Sequence, residues 1–146
     1  MRGSRNWIAG AILLAVIAFG AAAQGLHASP AGGRFNLPFD AQWGKSVLPN
    51  GEYSFTVEQV SLDGAIIIAQ GTQTIAVVHA QAFDDHENKS EKPELVCLRH
   101  DGKVTIRALR LPNVGTYYFA LPKDMKSLVA QQPKSVESVT VEVTLQ

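Results

Sequence analysis

Between position 35 and the end of the chain, the dominant pattern is an alternation of apolar and polar residues with a period of two. Successive side chains of an extended strand point to opposite faces, so this pattern predicts strands with one buried face and one wet face. At the start, the residues on the apolar face are Phe35, Leu37, Phe39, Ala41 and Trp43. At the end, they are Val139, Val141, Val143 and Leu145. The domain is therefore expected to begin and end with strands.

Turn signals divide the region between these two strands. The Asp63-Gly64 and Asp101-Gly102 dipeptides accept a positive φ at little steric cost, which favours hairpins. Only the segment from Asp124 to Gln132 has apolar residues at helical spacing, and it predicts a short helix. About eight short strands in one domain predict an all-β fold, either a small antiparallel β-sandwich or a β-barrel.

Pro38 lies within the first alternating run. A proline has no N–H to donate to a neighbouring strand, so within a sheet it is confined to edge strands and bulges. We therefore expect the strand from Phe35 to Trp43 to lie at an edge of the sheet. An edge strand can also pair with a partner chain, and Pro38 would blunt that route only in part.

The start of the chain carries a different pattern. Arg2 and Arg5 precede an unbroken apolar run from Ile8 to Ala23, which ends in small residues before Gln24. A helix over this run is about 24 Å long, whereas the hydrocarbon core of a bilayer needs about 30 Å. This favours a cleavable signal peptide over a membrane anchor, with cleavage before Gln24 or after Gly25 or Ala28.

These patterns predict three parts: a signal peptide over 1–23, a flexible leader over 24–34 that is rich in glycine, and a single β-domain over 35–146. The signal predicts export to the periplasm or the extracellular space, without a stable membrane anchor once the signal is cleaved. The alternative of a small outer-membrane barrel is the least favoured, because several of the predicted strands are too short for it.

Charge excludes one class of partner. The chain has 13 basic and 13 acidic residues, and loss of Arg2 and Arg5 with the signal leaves 11 basic residues. No run of Lys or Arg forms the positive stripe that binding to a phosphate backbone requires. Nucleic acid is therefore not an expected partner, whereas a ligand, a surface polymer or a protein remains open.

Two stretches resemble a known group of proteins. Phe35-Asn36-Leu37-Pro38-Phe39, then Trp43-Gly44 and Leu48-Pro49-Asn50-Gly51-Glu52-Tyr53, are similar to the start of uncharacterised small exported β-domain proteins of environmental bacteria. The segment from Cys97 to Gly102 is similar to some members as well. The matching residues are those of turns and packing. The resemblance implies a shared β fold and export, and it supplies no catalytic residue.

An acidic segment is the one candidate for a metal site. Its ligand-type residues are Asp84, Asp85, His86, Glu87, Glu91 and Glu94. The spacing does not match a calcium-binding EF-hand, and Lys89 and Lys92 lie among the acids. A solvated loop is the preferred interpretation, so no metal or cofactor is predicted.

The alternative of an envelope enzyme depends on Cys97, the only cysteine, and on His79 or His100 as its base. His79 shares a strand face with Ile75 and Val77, which predicts that it points into the core or a pocket beside it. Cys97 lies in an apolar strand, where a buried thiol is the simpler expectation. The sequence has no Gly-x-Ser-x-Gly elbow, Walker loop, dinucleotide fingerprint or His-Glu-x-x-His motif, so no catalytic residue is assigned.

We therefore expect a non-enzymatic binding or interaction module. Alternation places Tyr117 and Phe119 inward and Tyr118 outward, where an exposed aromatic ring can anchor a partner. Arg99, Arg107 and Arg110 belong to one predicted hairpin and are candidates for an anionic site. The predicted binding surface consists of Tyr118, Arg99, Arg107, Arg110 and His79.

Overall fold

The structure, a computed structural model, describes residues 31–58, 64–85 and 92–146. The predicted signal peptide, its cleavage sites and residues 24–30 of the leader lie outside the described residues. The first strand begins at Ala31, so the last four residues of the predicted leader belong to the sheet. The domain therefore starts earlier than the alternation of large apolar residues indicated.

The described residues are mostly strand. The strands are β1 (Ala31–Leu37), β2 (Ala41–Trp43), β3 (Ser46–Leu48), β4 (Gly51–Val57), β5 (Ala65–Gln70), β6 (Gln73–His79), β7 (Ala82–Asp84), β8 (Glu94–His100), β9 (Lys103–Leu111), β10 (Gly115–Tyr118) and β11 (Glu137–Leu145). One α-helix, α1 (Lys123–Gln131), and a 3-10 helix, Pro133–Ser135, connect β10 to β11. The all-β prediction and the short helix are confirmed, whereas the strand count within the described residues is eleven rather than about eight.

The strands form a nearly closed, barrel-like sheet in the order β3-β2-β9-β8-β11-β1-β4-β5-β6. Two further strands branch from this path, because β10 pairs with β9 and β7 pairs with β10. All described pairings are antiparallel except one bridge between Gln42 of β2 and Thr105 of β9. The long strand β11 joins two halves, because Glu137–Glu142 pairs with β8 and the following residues pair with β1. The two ends of the path approach each other where Gly44 lies beside Val78.

The predicted edge position of the first strand is wrong. β1 pairs with β4 along its whole length, from Ala31 to Leu37, and with β11 on its other side. Pro38 does not interrupt either ladder, because β1 ends at Leu37 and Pro38 lies in the bend before β2. The single strand predicted from Phe35 to Trp43 is therefore two strands, and β6 and β3 lie at the ends of the path.

The apolar side chains of both halves meet in one core. Phe35, Leu37, Ala41 and Trp43 are buried, as the alternation predicted, and Phe39 is half-buried against them. The Trp43 ring makes an edge-on contact with Phe119, with the two ring centres 5.1 Å apart. Such aromatic pairs contribute about 0.5–1.5 kcal/mol beyond their burial. The inner faces of the strands are therefore occupied by packed side chains.

Candidate binding cleft

The structure disperses the predicted arginine site. Arg99 of β8 donates to Glu137 of β11, with 3.0 Å between Nη2 and Oε2. Arg110 of β9 donates to Glu94 of β8, with 2.8 Å between Nη1 and Oε1. Each guanidinium has its own carboxylate on a neighbouring strand, because the register of β8 with β9 and β11 places opposite charges side by side. These two arginines therefore do not form a shared anion site.

Arg107 is engaged in a different way. The register between β8 and β9 skips this residue, so it lies at an irregularity of the ladder. Its Nη1 donates to the carbonyl oxygen of Phe119 at 3.1 Å, and its guanidinium carbon lies 5.4 Å from the centre of the Tyr118 ring. Tyr118 is half-buried beneath it, while Tyr117 and Phe119 are fully buried, as predicted. The Tyr118 ring is therefore occupied by a cation of the same chain.

The predicted inward position of His79 is wrong. Ala76 and Val78 are the buried residues of β6, and His79 is exposed on the other face with Ile75, 38% exposed, and Val77, 52% exposed. Both faces of this strand carry apolar residues, so alternation alone does not select the inner one. Pairing with β5 selects it, because Val78 lies opposite the buried Ile66. His79 therefore lines no core pocket.

Cys97 makes no hydrogen bond to His79 or His100 in the part of the chain that the structure describes. Cys97 is 0% exposed in the core, and burial raises the pKa of its thiol to about 12, which keeps the group protonated and unreactive. The ring of His100 contacts the carbonyl oxygen of Ser135 through Nδ1 at 3.0 Å and the carboxylate of Asp101 through Nε2 at 3.3 Å. The nucleophile and base of the enzyme hypothesis are thus held apart by the fold.

The acidic segment remains largely outside the described residues, since 86–91 are not described. Within the part of the chain that the structure describes, no three His, Cys, Asp or Glu side chains are grouped so that they can hold a metal ion. Within the same part, no helix is long and apolar enough to cross a membrane.

A cleft of about 600 Å³ lies on the outer face of the sheet, where β11, β1 and β4 run side by side. This volume is within the range of small-molecule sites. Its lining residues are Arg34, Phe35, Asn36, Glu52, Tyr53, Ser54, Gly71, Glu142 and Thr144. Because Phe35 and Tyr53 direct their buried rings to the core, the cleft presents polar side chains to solvent.

The register of the three strands arranges these polar side chains in two rows. Arg34 lies opposite Thr144 on one side and Ser54 on the other, so the first row is hydroxyl, guanidinium, hydroxyl. Asn36 lies opposite Glu52 in the second row. The pairing between β1 and β11 ends at Phe35 and Val143, and Glu142 follows one step beyond this pair, on the side of Asn36. One row therefore presents hydrogen-bond donors with a cation, and the other presents carboxylates and an amide.

Arg34 differs from the three arginines of the predicted surface. Its side chain is exposed in the cleft and has neither an ion pair nor a hydrogen bond to the described residues. The carboxylate of Glu94, which lies opposite Glu142 in the β8–β11 ladder, is already bound to Arg110. Glu142 therefore contributes its negative charge to the cleft without a compensating partner there. The cleft holds one cation and two anions that are open to a ligand.

A second, smaller hollow of about 300 Å³ lies between β2, the start of β9 and α1. It includes the exposed Val47 and the buried Met125 of α1, with Asp40, Lys103 and Asp124 among its polar residues. Asp40 is already used by the fold, since its Oδ1 accepts a hydrogen bond from the backbone N–H of Asn50 at 2.9 Å. This hollow is therefore less available to a polar ligand than the larger cleft.

The sequence interpretation missed the residues of the larger cleft. Arg34 fell within the predicted leader, and Glu52 and Glu142 belong to strands that are distant in sequence. Alternation does predict that Asn36, Ser54 and Thr144 face outward. It carries no information on which outward faces become neighbours, so the site was not visible before the strand order was known. Among known proteins, no family model, no curated protein and no solved structure matches this chain.

Proposed function

We propose that this protein is an exported, non-enzymatic binding module that holds a small polar ligand in the cleft formed by β11, β1 and β4. The fold supports this proposal because rigid paired strands hold the lining side chains in fixed relative positions, which lowers the entropy cost of binding. The ligand can be a free molecule or the end of a surface polymer or protein, since the cleft is open to solvent on the outer face.

The observation that carries the proposal is the guanidinium of Arg34, which lies in the cleft and has no partner among residues 31–58, 64–85 and 92–146. An arginine on a β-sheet face commonly finds a cross-strand carboxylate, as Arg110 finds Glu94. Arg34 instead has two hydroxyl residues opposite, Ser54 and Thr144. A guanidinium flanked by two hydroxyl donors is suited to an anionic or strongly accepting group of a ligand.

Titration by two-dimensional amide NMR tests the proposal. The full chain is titrated with separate solutes: alanine, alanyl-alanine, glucose, acetate and glycine betaine. We expect at least one of them to shift the amide signals of Arg34, Asn36, Ser54 and Thr144, in a saturable manner. Shifts confined to other strands, or no saturable shift with any of these solutes, would contradict the cleft as the binding site.

A matched pair of variants separates the cleft from general surface charge. Arg34→Gln is expected to weaken binding of the solute that shifts the cleft signals, because it removes the unpaired cation. Arg99→Gln removes a cation of the same type that already has a partner in Glu137, at the other end of the β8–β11 ladder from Glu142, so it is expected to leave binding unchanged. An equal effect of both variants would indicate nonspecific attraction of the solute.

Export is proposed from the signal pattern at residues 1–23. Intact-mass measurement of the protein recovered outside the cytoplasm tests it, and we expect a chain that begins at or near Gln24. A mass that retains the residues before Gln24 would favour an uncleaved anchor.

A further inference from the structure

We propose that the ligand of the cleft is a zwitterion whose opposite charges lie about 7 Å apart, as the termini of a dipeptide do. This inference rests on the proposed function, and it adds the chemical class of the ligand. It begins from the two rows of the cleft, one centred on Arg34 and the other on Asn36.

The first step is the chemistry of each row. Arg34, Ser54 and Thr144 together offer a guanidinium and two hydroxyl groups, all of which can donate to a carboxylate. Two neighbouring strands contribute Glu52 and Glu142 to the other row, whose carboxylates accept from an ammonium group. The two ends of the cleft therefore select opposite charges.

The second step is the distance between the rows. Arg34 and Asn36 are two residues apart on β1, and a strand rises about 3.3 Å per residue, so the rows are about 7 Å apart. Two extended residues of a peptide span about the same length. In a free amino acid the ammonium group and the carboxylate group are attached to the same carbon atom, so they lie too close together to reach both rows. The spacing therefore favours a ligand of dipeptide length.

The third step is the sign of the ligand charge that lies near each row. A ligand with only a negative charge would bring that charge near Glu52 and Glu142, and a ligand with only a positive charge would lie near Arg34. In the first case the carboxylate row repels the ligand, and in the second case the Arg34 row has no carboxylate to bind. A zwitterion aligned along β1 satisfies both rows with no change in net charge, so it is the ligand class that meets no unfavourable contact there.

Calorimetric titration of the full chain with alanyl-alanine and matched derivatives tests the inference. The derivatives are N-acetyl-alanyl-alanine, which lacks the ammonium group, alanyl-alanine amide, which lacks the carboxylate, and free alanine. We expect alanyl-alanine to bind at least about tenfold more tightly than each of the three.

5-Aminopentanoate has a similar separation of charges without a peptide bond. Equal binding of 5-aminopentanoate would assign recognition to the charges alone, and weaker binding would assign part of it to the peptide group; both support the zwitterion.

Variants connect each charge of the ligand to its row. Arg34→Gln is expected to weaken alanyl-alanine about tenfold. It is expected not to weaken the amide derivative, which has no carboxylate for Arg34 to bind and carries a positive charge that Arg34 repels. Glu52→Gln combined with Glu142→Gln is expected to weaken alanyl-alanine by a similar factor. It is expected not to weaken the acetylated derivative, which has no ammonium group for these carboxylates to bind and carries a negative charge that they repel. Arg99→Gln serves as the control and is expected to bind alanyl-alanine as the natural chain does.

Two results would overturn the inference. If the acetylated and amidated derivatives bind as tightly as alanyl-alanine, the two rows do not recognise the ammonium and carboxylate groups of the ligand. If alanyl-alanine does not bind while another solute shifts the cleft signals in the NMR titration, the ligand class is wrong and the proposed function stands. If no solute shifts those signals, the proposed function fails together with the inference.

Discussion

The guanidinium carbon of Arg107 lies 5.4 Å from the centre of the Tyr118 ring. The two residues belong to neighbouring strands, β9 and β10, and the Arg107 side chain also donates to the carbonyl oxygen of Phe119. These contacts connect β9 to the end of β10 and to Phe119, which follows β10 and precedes α1. Arg107 and Tyr118 both belong to the predicted binding surface, and the structure shows each of them in contact within the chain.

Replacement of Tyr118 tests this stabilising role. Tyr118→Leu removes the ring beneath the guanidinium and is expected to lower the free energy of unfolding by about 0.5–1 kcal/mol, the size of a solvent-accessible cation–π contact. Tyr118→Phe retains the ring and is expected to remain close to the natural protein. Urea unfolding followed by circular dichroism measures both. Equal destabilisation by the two variants would assign the effect to the hydroxyl group instead.

Gly115 begins β10 with φ of +142°, and it is tightly enclosed. A Cβ atom there would overlap the carbonyl oxygen of Asp84 and lie 2.7 Å from the Phe83 ring. We expect Gly115→Ala to destabilise the domain by about 3 kcal/mol or more, because a steric clash adds to backbone strain.

Gly102 is the matched control for this substitution. Its φ is +75°, and nothing lies within 4 Å of the position that a Cβ would occupy. Gly102→Ala is therefore expected to cost only the backbone strain, about 1–2 kcal/mol. Thermal or urea unfolding compares the two variants. A similar loss of stability in both variants would show that β7 can move away from a Cβ atom at position 115 without loss of free energy of unfolding.

Cys97 predicts a dependence of stability on alkaline pH. Burial raises the pKa of its thiol from 9.0 to about 12 in the folded protein. Below pH 9 both the folded and the unfolded chain hold the proton, so the full stability is present. Between pH 9 and 12 the unfolded chain loses the proton first, and the free energy of unfolding falls by up to about 1.4 kcal/mol per pH unit.

Unfolding titrations between pH 8 and pH 11 measure this slope. Burial also raises the pKa of Tyr53 and Tyr117, so the contribution of Cys97 is the difference between the natural chain and Cys97→Ala. We expect the variant to lose stability less steeply above pH 9. Parallel curves for the two proteins would mean that the thiol ionises in the folded state as it does in the unfolded chain.

Trp43 provides an internal probe of the core. Its ring is fully buried between Phe35 and Phe119, and its Nε1 has no hydrogen-bond partner in the described part of the chain. In a Trp7→Phe variant, Trp43 is the only tryptophan. Its fluorescence is expected to be blue-shifted and protected from acrylamide in the folded state, because water does not reach the indole. Emission at the same wavelength before and after unfolding would contradict a closed core.

Some of this architecture follows from the sequence because it depends on local chemistry. Period-two alternation identified the inward residues of β1, including Phe35 and Leu37, since neighbouring side chains of a strand must point to opposite faces. The Asp101-Gly102 turn was visible because both residues adopt a positive φ, which this dipeptide tolerates.

Other features were decided only by tertiary structure. Alternation did not identify the inner face of β6, because both of its faces are apolar and pairing with β5 selects Val78 over His79. Nor did it show that β1 lies inside the sheet, or that Arg110 meets Glu94 whereas Arg34 meets no carboxylate of the described residues. These outcomes depend on hydrogen bonds between strands far apart in sequence and on competition for one core. On β1, β4 and β11 the sequence by itself determined which residues face outward, and the order of the strands decided which of them share a cleft.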